Sequence, residues 1–346
     1  MKTFIILLIT AITVAVAQQN LISPRVSPPA RVMQGIGFAS VTLSYSSPSV
    51  KGRQVWGGLV PYADKDDARP WRAGANENTT ITFSHPARVE GREIPAGIYG
   101  LHMIIRPEKA TVIFSRDNKA WGSYSYTPRH DQLRVEVKME TAPFTENLTY
   151  GFKNTGPEST TAYLRWAEKE IPFTISFDSD EITYENYREQ LTGTAGFSAS
   201  SWGRAAEFCL DKNIHLDQGR KWIERALKLR GGATFTHMMI KAGYLEKEGR
   251  AAEAGEWREK AMNAATESDL NKYGQKLLRA GKTGESLKIL KRSLEKFPQS
   301  WKTHSLYAAA LKKTGNNGEA ARYYKKALEL APRSEKPALE NLLKSL

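Results

Sequence analysis

The sequence predicts a multidomain chain. An antiparallel, jelly-roll-like β-sandwich is followed by an all-α helical solenoid. Three observations carry this reading. Apolar and polar residues alternate with a period of two through short segments before residue 178. From about residue 181, Ala, Leu, Lys, Glu and Arg take over. A set of landmarks then returns about every 34 residues, the mark of stacked helix pairs. At 346 residues the chain is also longer than one domain usually is.

The expected order is a signal peptide over 1–17, a sandwich over 18–180, a short helix and linker over 181–199, and about four helical repeats over 200–346. Lys2 precedes an apolar run from Phe4 to Val16, and Ala15-Val16-Ala17 forms a cleavage signal. This pattern predicts export, with cleavage before Gln18. The run is too short for a transmembrane helix, and no second apolar stretch near 18 residues follows. The expected product is soluble, periplasmic or extracellular.

Strands are expected at Phe38–Tyr45, Thr79–Ser84, Thr111–Phe114, Leu133–Val137 and Phe173–Phe177, where β-branched and aromatic residues alternate with polar ones. Gly and Pro clusters such as Glu90-Gly91-Arg92 and Pro95-Ala96-Gly97 punctuate them.

In the helical half, one copy reads Leu311, Gly315, Glu319-Ala320, Tyr324, Ala327-Leu328 and Pro332. Thirty-four residues earlier stand Leu277, Gly281, Glu285-Ser286, Leu290, Ser293-Leu294 and Pro298. Thirty-two before those come Ala242, Leu245, Gly249, Glu253-Ala254 and Ala261. A fainter copy, 35 residues further back, keeps Leu210, Gly219 and Ala226-Leu227. Small residues let paired helices approach, the glycine ends the first helix in a left-handed cap, and the proline stops the second. This half resembles the tetratricopeptide repeat family. The resemblance implies a protein-interaction scaffold whose first helices line a groove. On it, Lys272, Gln275, Arg279, Lys302, Ala309, Lys312 and Lys313 are expected groove positions, favouring an acidic partner. The Lys and Asn arrangement that clamps a peptide C-terminus in some family members is not reproduced.

The net charge of +13 is concentrated in this half. Residues 18–195 carry 20 Lys and Arg and 20 Asp and Glu, whereas 196–346 carry 29 and 17. A basic surface attracts anionic partners, and export makes nucleic acid a poor one.

Four blocks of the first half are too particular for ordinary strands: Val50–Tyr62, Trp71–Thr80, Ile94–Leu101 and Trp121–Tyr126. With Ser23–Pro29 they resemble a family of exported bacterial domains of unknown function, numbered 2911. Asn78 departs from it, since a small or aliphatic residue usually stands there. The resemblance implies a β-sandwich-like envelope domain and no activity.

Candidate ligand contacts are Trp71, Arg72, Asn76 and Glu77. A guanidinium can grip a carboxylate or phosphate in two places. A bend at Gly74 could gather the polar three, and an Arg72–Glu77 ion pair is the structural alternative. Trp56, Trp71 and Trp121 suit either a sugar ring or a core. His85, His102 and His130 are considered as a metal set, but no metal or cofactor is expected. Asp64, Asp66 and Asp67 lack the glycine and distal Glu of a calcium loop. Gly35-Ile36-Gly37 lacks the third glycine of a nucleotide fingerprint. Cys209 is the one cysteine, which excludes an internal disulfide, and it is expected in a helix core. The favoured function is a non-enzymatic envelope scaffold, binding a protein partner and a glycan or small anion. The alternative is an envelope hydrolase with Glu77 as acid or base and Arg72 holding an anion.

Overall fold

The computed structural model describes residues 23–65 and 69–346. The expected signal peptide, Asp66 and Asp67 lie outside the described residues. The chain divides into two compact units after Ile182.

Among the described residues the first unit holds ten strands: β1 (Pro29–Ile36), β2 (Ala39–Ser46), β3 (Thr80–Phe83), β4 (Ala87–Val89), β5 (Arg92–Ile94), β6 (Gly97–Ile105), β7 (Lys109–Ser115), β8 (Asp131–Lys138), β9 (Glu140–Lys153) and β10 (Ser159–Phe177). They form two antiparallel sheets, ordered β1-β2-β3-β6-β7-β8 and β5-β4-β10-β9. Neither closes into a barrel. One apolar core, including Leu43, Leu101, Phe114, Leu164 and Phe173, draws side chains from both sheets. The sandwich is therefore the observed architecture.

Local chemistry explains the turns. Ile36 faces Ala39 across a two-residue loop, and Gly37 takes the positive φ, +57°, that such a tight hairpin needs. β6 sits centrally with seven of its nine residues buried, so it shows no alternation. β10 carries a bulge: its register with β9 shifts around Ala167, which has φ +46°. The bulge turns the consecutive residues Trp166 and Ala167 inward. Trp166 stacks on Trp71, and the Trp56 indole donates to the Trp166 carbonyl.

The second unit is helical. α1 (Ser179–Gln190) spans the division, and α2 (Ala199–Lys212) follows a short 3-10 turn. Four helix pairs come next: α2 with α3 (Leu216–Lys228), α4 (Phe235–Lys247) with α5 (Ala251–Ala264), α6 (Glu267–Arg279) with α7 (Thr283–Lys296), and α8 (Trp301–Lys313) with α9 (Asn317–Leu330). α10 (Lys336–Lys344) follows. The repeat landmarks become packing contacts. Ala226, Ala261, Ser293 and Ala327, one from each second helix, are all fully buried. Gly274 faces Leu290, which a Cβ would reach at 2.7 Å.

The first helices of the last three pairs end alike. Gly249, Gly281 and Gly315 have φ of +75° to +79°. The amide after each glycine donates five residues back, as in Asn316 to the Leu311 carbonyl at 3.1 Å. In the first pair Asn213 replaces glycine at φ +57°, with the same bond from Ile214 to Cys209. Each of those three last helices also starts on a hydroxyl cap, Thr234, Thr266 or Ser300.

Candidate functional site

The β unit carries a cleft of about 470 Å³. Its floor includes Trp71 and Met103, whose backbones exchange two hydrogen bonds of 2.8 Å. Arg69, Arg72, Ser123 and Tyr124 form its polar wall, and Asp64 also lines it. Arg69 donates from Nε to the Ser123 carbonyl and from Nη2 to the Tyr124 carbonyl. Arg72 donates from Nη1 to the Asn76 carbonyl. Both guanidiniums lie over the Tyr124 ring, 5.3 and 5.5 Å from its centre. Gly122, at φ +64°, makes room: a Cβ there would sit 2.6 Å from the Arg72 guanidinium carbon.

The loop from Trp71 to Asn78 turns through two left-handed residues, Ala73 (φ +50°) and Asn76 (φ +59°). The Ala73 carbonyl accepts from the Thr79 and Tyr150 hydroxyls, which pins the turn. This bend does not gather Arg72, Asn76 and Glu77. Glu77 points elsewhere and pairs with Arg25 at 2.6 Å, both side chains about half exposed. The Arg25 hydrogen bond holds the Glu77 carboxyl below its ordinary pKa. Asn76 spends its amide on the Ser27 carbonyl. The Arg72–Glu77 ion pair is thus corrected to Arg25–Glu77. Glu77 does not line the cleft, so the hydrolase reading loses its acid–base partner for Arg72. Trp56 and Trp71 belong with the core, whereas Trp121 is exposed.

Behind the cleft, His102 is buried and shares a 2.9 Å hydrogen bond between Nδ1 and Ser123 Oγ. Burial pushes its pKa down to about 4. His130 pairs with Asp117 and His85 with Ser84. Three histidines with separate partners do not make a ligand set, and among the described residues no group of three metal-binding side chains occurs.

The helical unit carries a second concavity, about 760 Å³, lined mainly by α2, α4 and α6. Met239, Ile240 and Tyr273 are apolar or aromatic contributors. Charges of both signs line it, and some pair within it, as Lys276 does with Glu207 at 2.7 Å and Arg258 with Glu246. Of the positions named from sequence, Lys272 lines this concavity. The other expected positions do not line it. Gln275 is half-buried and Arg279 exposed on α6. Lys302 lies over Trp301. Lys312 donates to the Ser345 carbonyl and Lys313 to the Leu278 carbonyl. The lining of this concavity is of mixed charge. Sequence reasoning missed Tyr273, Met239, Arg69 and Tyr124; only Tyr124 lay in a block already marked as unusual.

An antiparallel sandwich followed by repeated helix pairs defines the class. Residues 27–175 match the family model described as protein of unknown function DUF2911, and residues 301–334 match that of the tetratricopeptide repeat. Among solved structures, part of the chain is similar to Pseudomonas aeruginosa pilF at 16% identity, covering 42% of this chain and 66% of that one, TM-score 0.26. A MamA structure matches at 15% identity, covering 46% and 91%, TM-score 0.27. YrrB, described as a tetratricopeptide repeat protein with an unusual peptide-binding site, matches at 18%, covering 43% and 76%, TM-score 0.24. No curated protein matches the chain. No helix among the described residues is long and apolar enough to cross a membrane.

Proposed function

We propose that this protein is an exported envelope scaffold. The helical unit holds a segment of a protein partner, and the β unit offers a surface to a small anion or glycan. One observation carries the first half: the first helices of three successive pairs line one groove, with an apolar and aromatic floor between charges of both signs. Such a floor supplies the buried anchors that dominate binding energy. The mixed lining favours an apolar-anchored segment over a uniformly acidic one. The Lys2 to Ala17 pattern supports export.

The test is recovery of partners by the mature chain. Tyr273→Ala with Met239→Ala is expected to weaken capture about tenfold or more, the scale of losing anchor residues. Lys312→Glu with Lys313→Glu, outside the groove, is expected to leave it unchanged. The opposite pattern would move the interface to the other end of the solenoid. Far-ultraviolet circular dichroism checks that both variants stay folded.

A further inference from the structure

We propose that the β-unit cleft binds a monoanionic carboxylate attached to a flat apolar body, with Arg69 and Arg72 as its grip. This deepens the small-ligand half of the reading above and is independent of the helical half.

Three features lead to it. First, both guanidiniums are held in place by backbone carbonyls, and no described carboxylate pairs with them. Their recorded hydrogen bonds go to backbone carbonyls, of Ser123 and Tyr124 for Arg69 and of Asn76 for Arg72. Neither faces a carboxylate within ion-pair distance among the described residues. A guanidinium has five N–H donors, so each keeps most of its fork for a ligand. A positioned fork suits the two oxygens of a carboxylate.

Second, the charge balance selects the anion. Arg69, Arg72 and Asp64 are the charged groups among the described lining residues. Among these described groups, two cations against one carboxylate leave one net positive charge. That balance suits a monoanion and disfavours a phosphate dianion, which Asp64 would repel. His102, kept neutral by burial behind Ser123, adds no charge at neutral pH.

Third, the rest of the wall is flat and apolar. Pro61, Pro70, Trp71 and Ile105 line the cleft, and Tyr124 is an exposed residue beside the guanidiniums. The exposed ring and the guanidiniums lying over it form one flat surface against which a planar ligand body can stack.

The experiment titrates the mature chain with 2-naphthoate, followed by calorimetry and tryptophan fluorescence, since Trp71 lines the cleft. The comparators are neutral 2-naphthalenemethanol, inorganic phosphate and the neutral glycan chitotriose. Wild type is expected to bind 2-naphthoate at least tenfold more tightly than the alcohol or phosphate, the worth of one charge-assisted contact. Arg72→Gln and Arg69→Gln are expected to weaken it about tenfold or more. Arg25→Gln, whose side chain pairs with Glu77 outside the cleft, is expected to change nothing.

Equal binding of acid and alcohol, or no loss in Arg72→Gln, overturns the inference. Tighter phosphate overturns the monoanion assignment while a ligand surface remains. Chitotriose binding that survives Arg72→Gln, with no naphthoate binding, overturns the inference and leaves a glycan surface. Silence toward all four probes up to about 10 mM overturns both. Should Arg72→Gln fail to fold, Arg72→Lys keeps the charge without the fork and is still expected to bind severalfold more weakly.

Discussion

At the scale of single residues, backbone geometry and burial give sharp expectations. Asn213 sits in the left-handed region where the other three pairs use glycine. Asn tolerates that region better than other residues with a Cβ, and glycine pays nothing there. Asn213→Ala is expected to lower stability by about 1 kcal/mol, and Asn213→Gly to leave it unchanged or raise it. Urea unfolding of the two variants reads the difference. Glu77 is a contrasting case. Its bond to Arg25 is exposed on both sides, so Glu77→Ala is expected to cost less than about 1 kcal/mol and to matter less at high salt. His102 has the opposite environment. Its folded pKa, near 4, lies below the ordinary 6.5, so the unfolded chain binds the proton first. Its contribution is complete above about pH 6.5 and is lost as pH falls through 4, on the order of 3 kcal/mol. His102→Gln should flatten that part of the stability–pH curve, measured by unfolding between pH 7 and pH 4.

At the scale of elements, helix approach and strand bulging decide what each position tolerates. Gly219 on α3 lies against Tyr244 of α4, and a Cβ there would fall 1.9 Å from the Tyr244 hydroxyl. That hydroxyl donates to the Ala206 carbonyl of α2. Gly219→Ala should therefore cost about 1–3 kcal/mol by overpacking. Gly255 on α5 has nothing within 4 Å of an added Cβ, so Gly255→Ala should add roughly 1 kcal/mol through helix propensity. Thermal unfolding of the pair isolates packing from propensity. On β10, the bulge that turns Trp166 inward leaves Glu170 buried between Lys153 and Arg165. Burial alone would raise the Glu170 pKa, but its bonds to Lys153 and Arg165 outweigh that and lower it. The carboxylate's contribution is thus full above the ordinary value of 4.5 and is lost as pH drops through the lowered one. Glu170→Gln is expected to cost about 2–3 kcal/mol, less than a fully buried pair would, because both cations reach solvent. Its deficit at pH 7 should shrink below pH 4 in acid titration of stability.

At the scale of the whole molecule, the proposed export predicts a mature N-terminus at Gln18, which N-terminal mass spectrometry of the chain purified from its native host reads directly. An intact Met1 would overturn the export assignment. The sandwich and the helix pairs were legible because each half writes its own period. Strands β3 and β8 alternate in burial, and β2 and β7, though more deeply buried, still read as runs of β-branched and aromatic residues, whereas β6 is buried over seven of its nine residues and β1 starts at Pro29, so neither stood out. The repeat was legible because close helix approach demands small residues at fixed spacing, and Ala226, Ala261, Ser293 and Ala327 meet that demand. The sites were less legible. Arg72 and Glu77 are five residues apart, yet two left-handed residues between them send one to the cleft and the other to Arg25. Trp121-Gly122-Ser123-Tyr124 looked unusual, but nothing local says that its carbonyls hold Arg69. Of the expected groove lysines, Lys272 lines the concavity whereas Lys302, Lys312 and Lys313 do not, because a helix face is legible locally, while which faces border a cavity depends on how successive pairs stack. By itself, then, the sequence determined the class of each half, since periodicity and small-residue spacing are properties of the chain. Only the tertiary structure decided which charged groups meet, because partners such as Arg25 and Glu77 lie 52 residues apart.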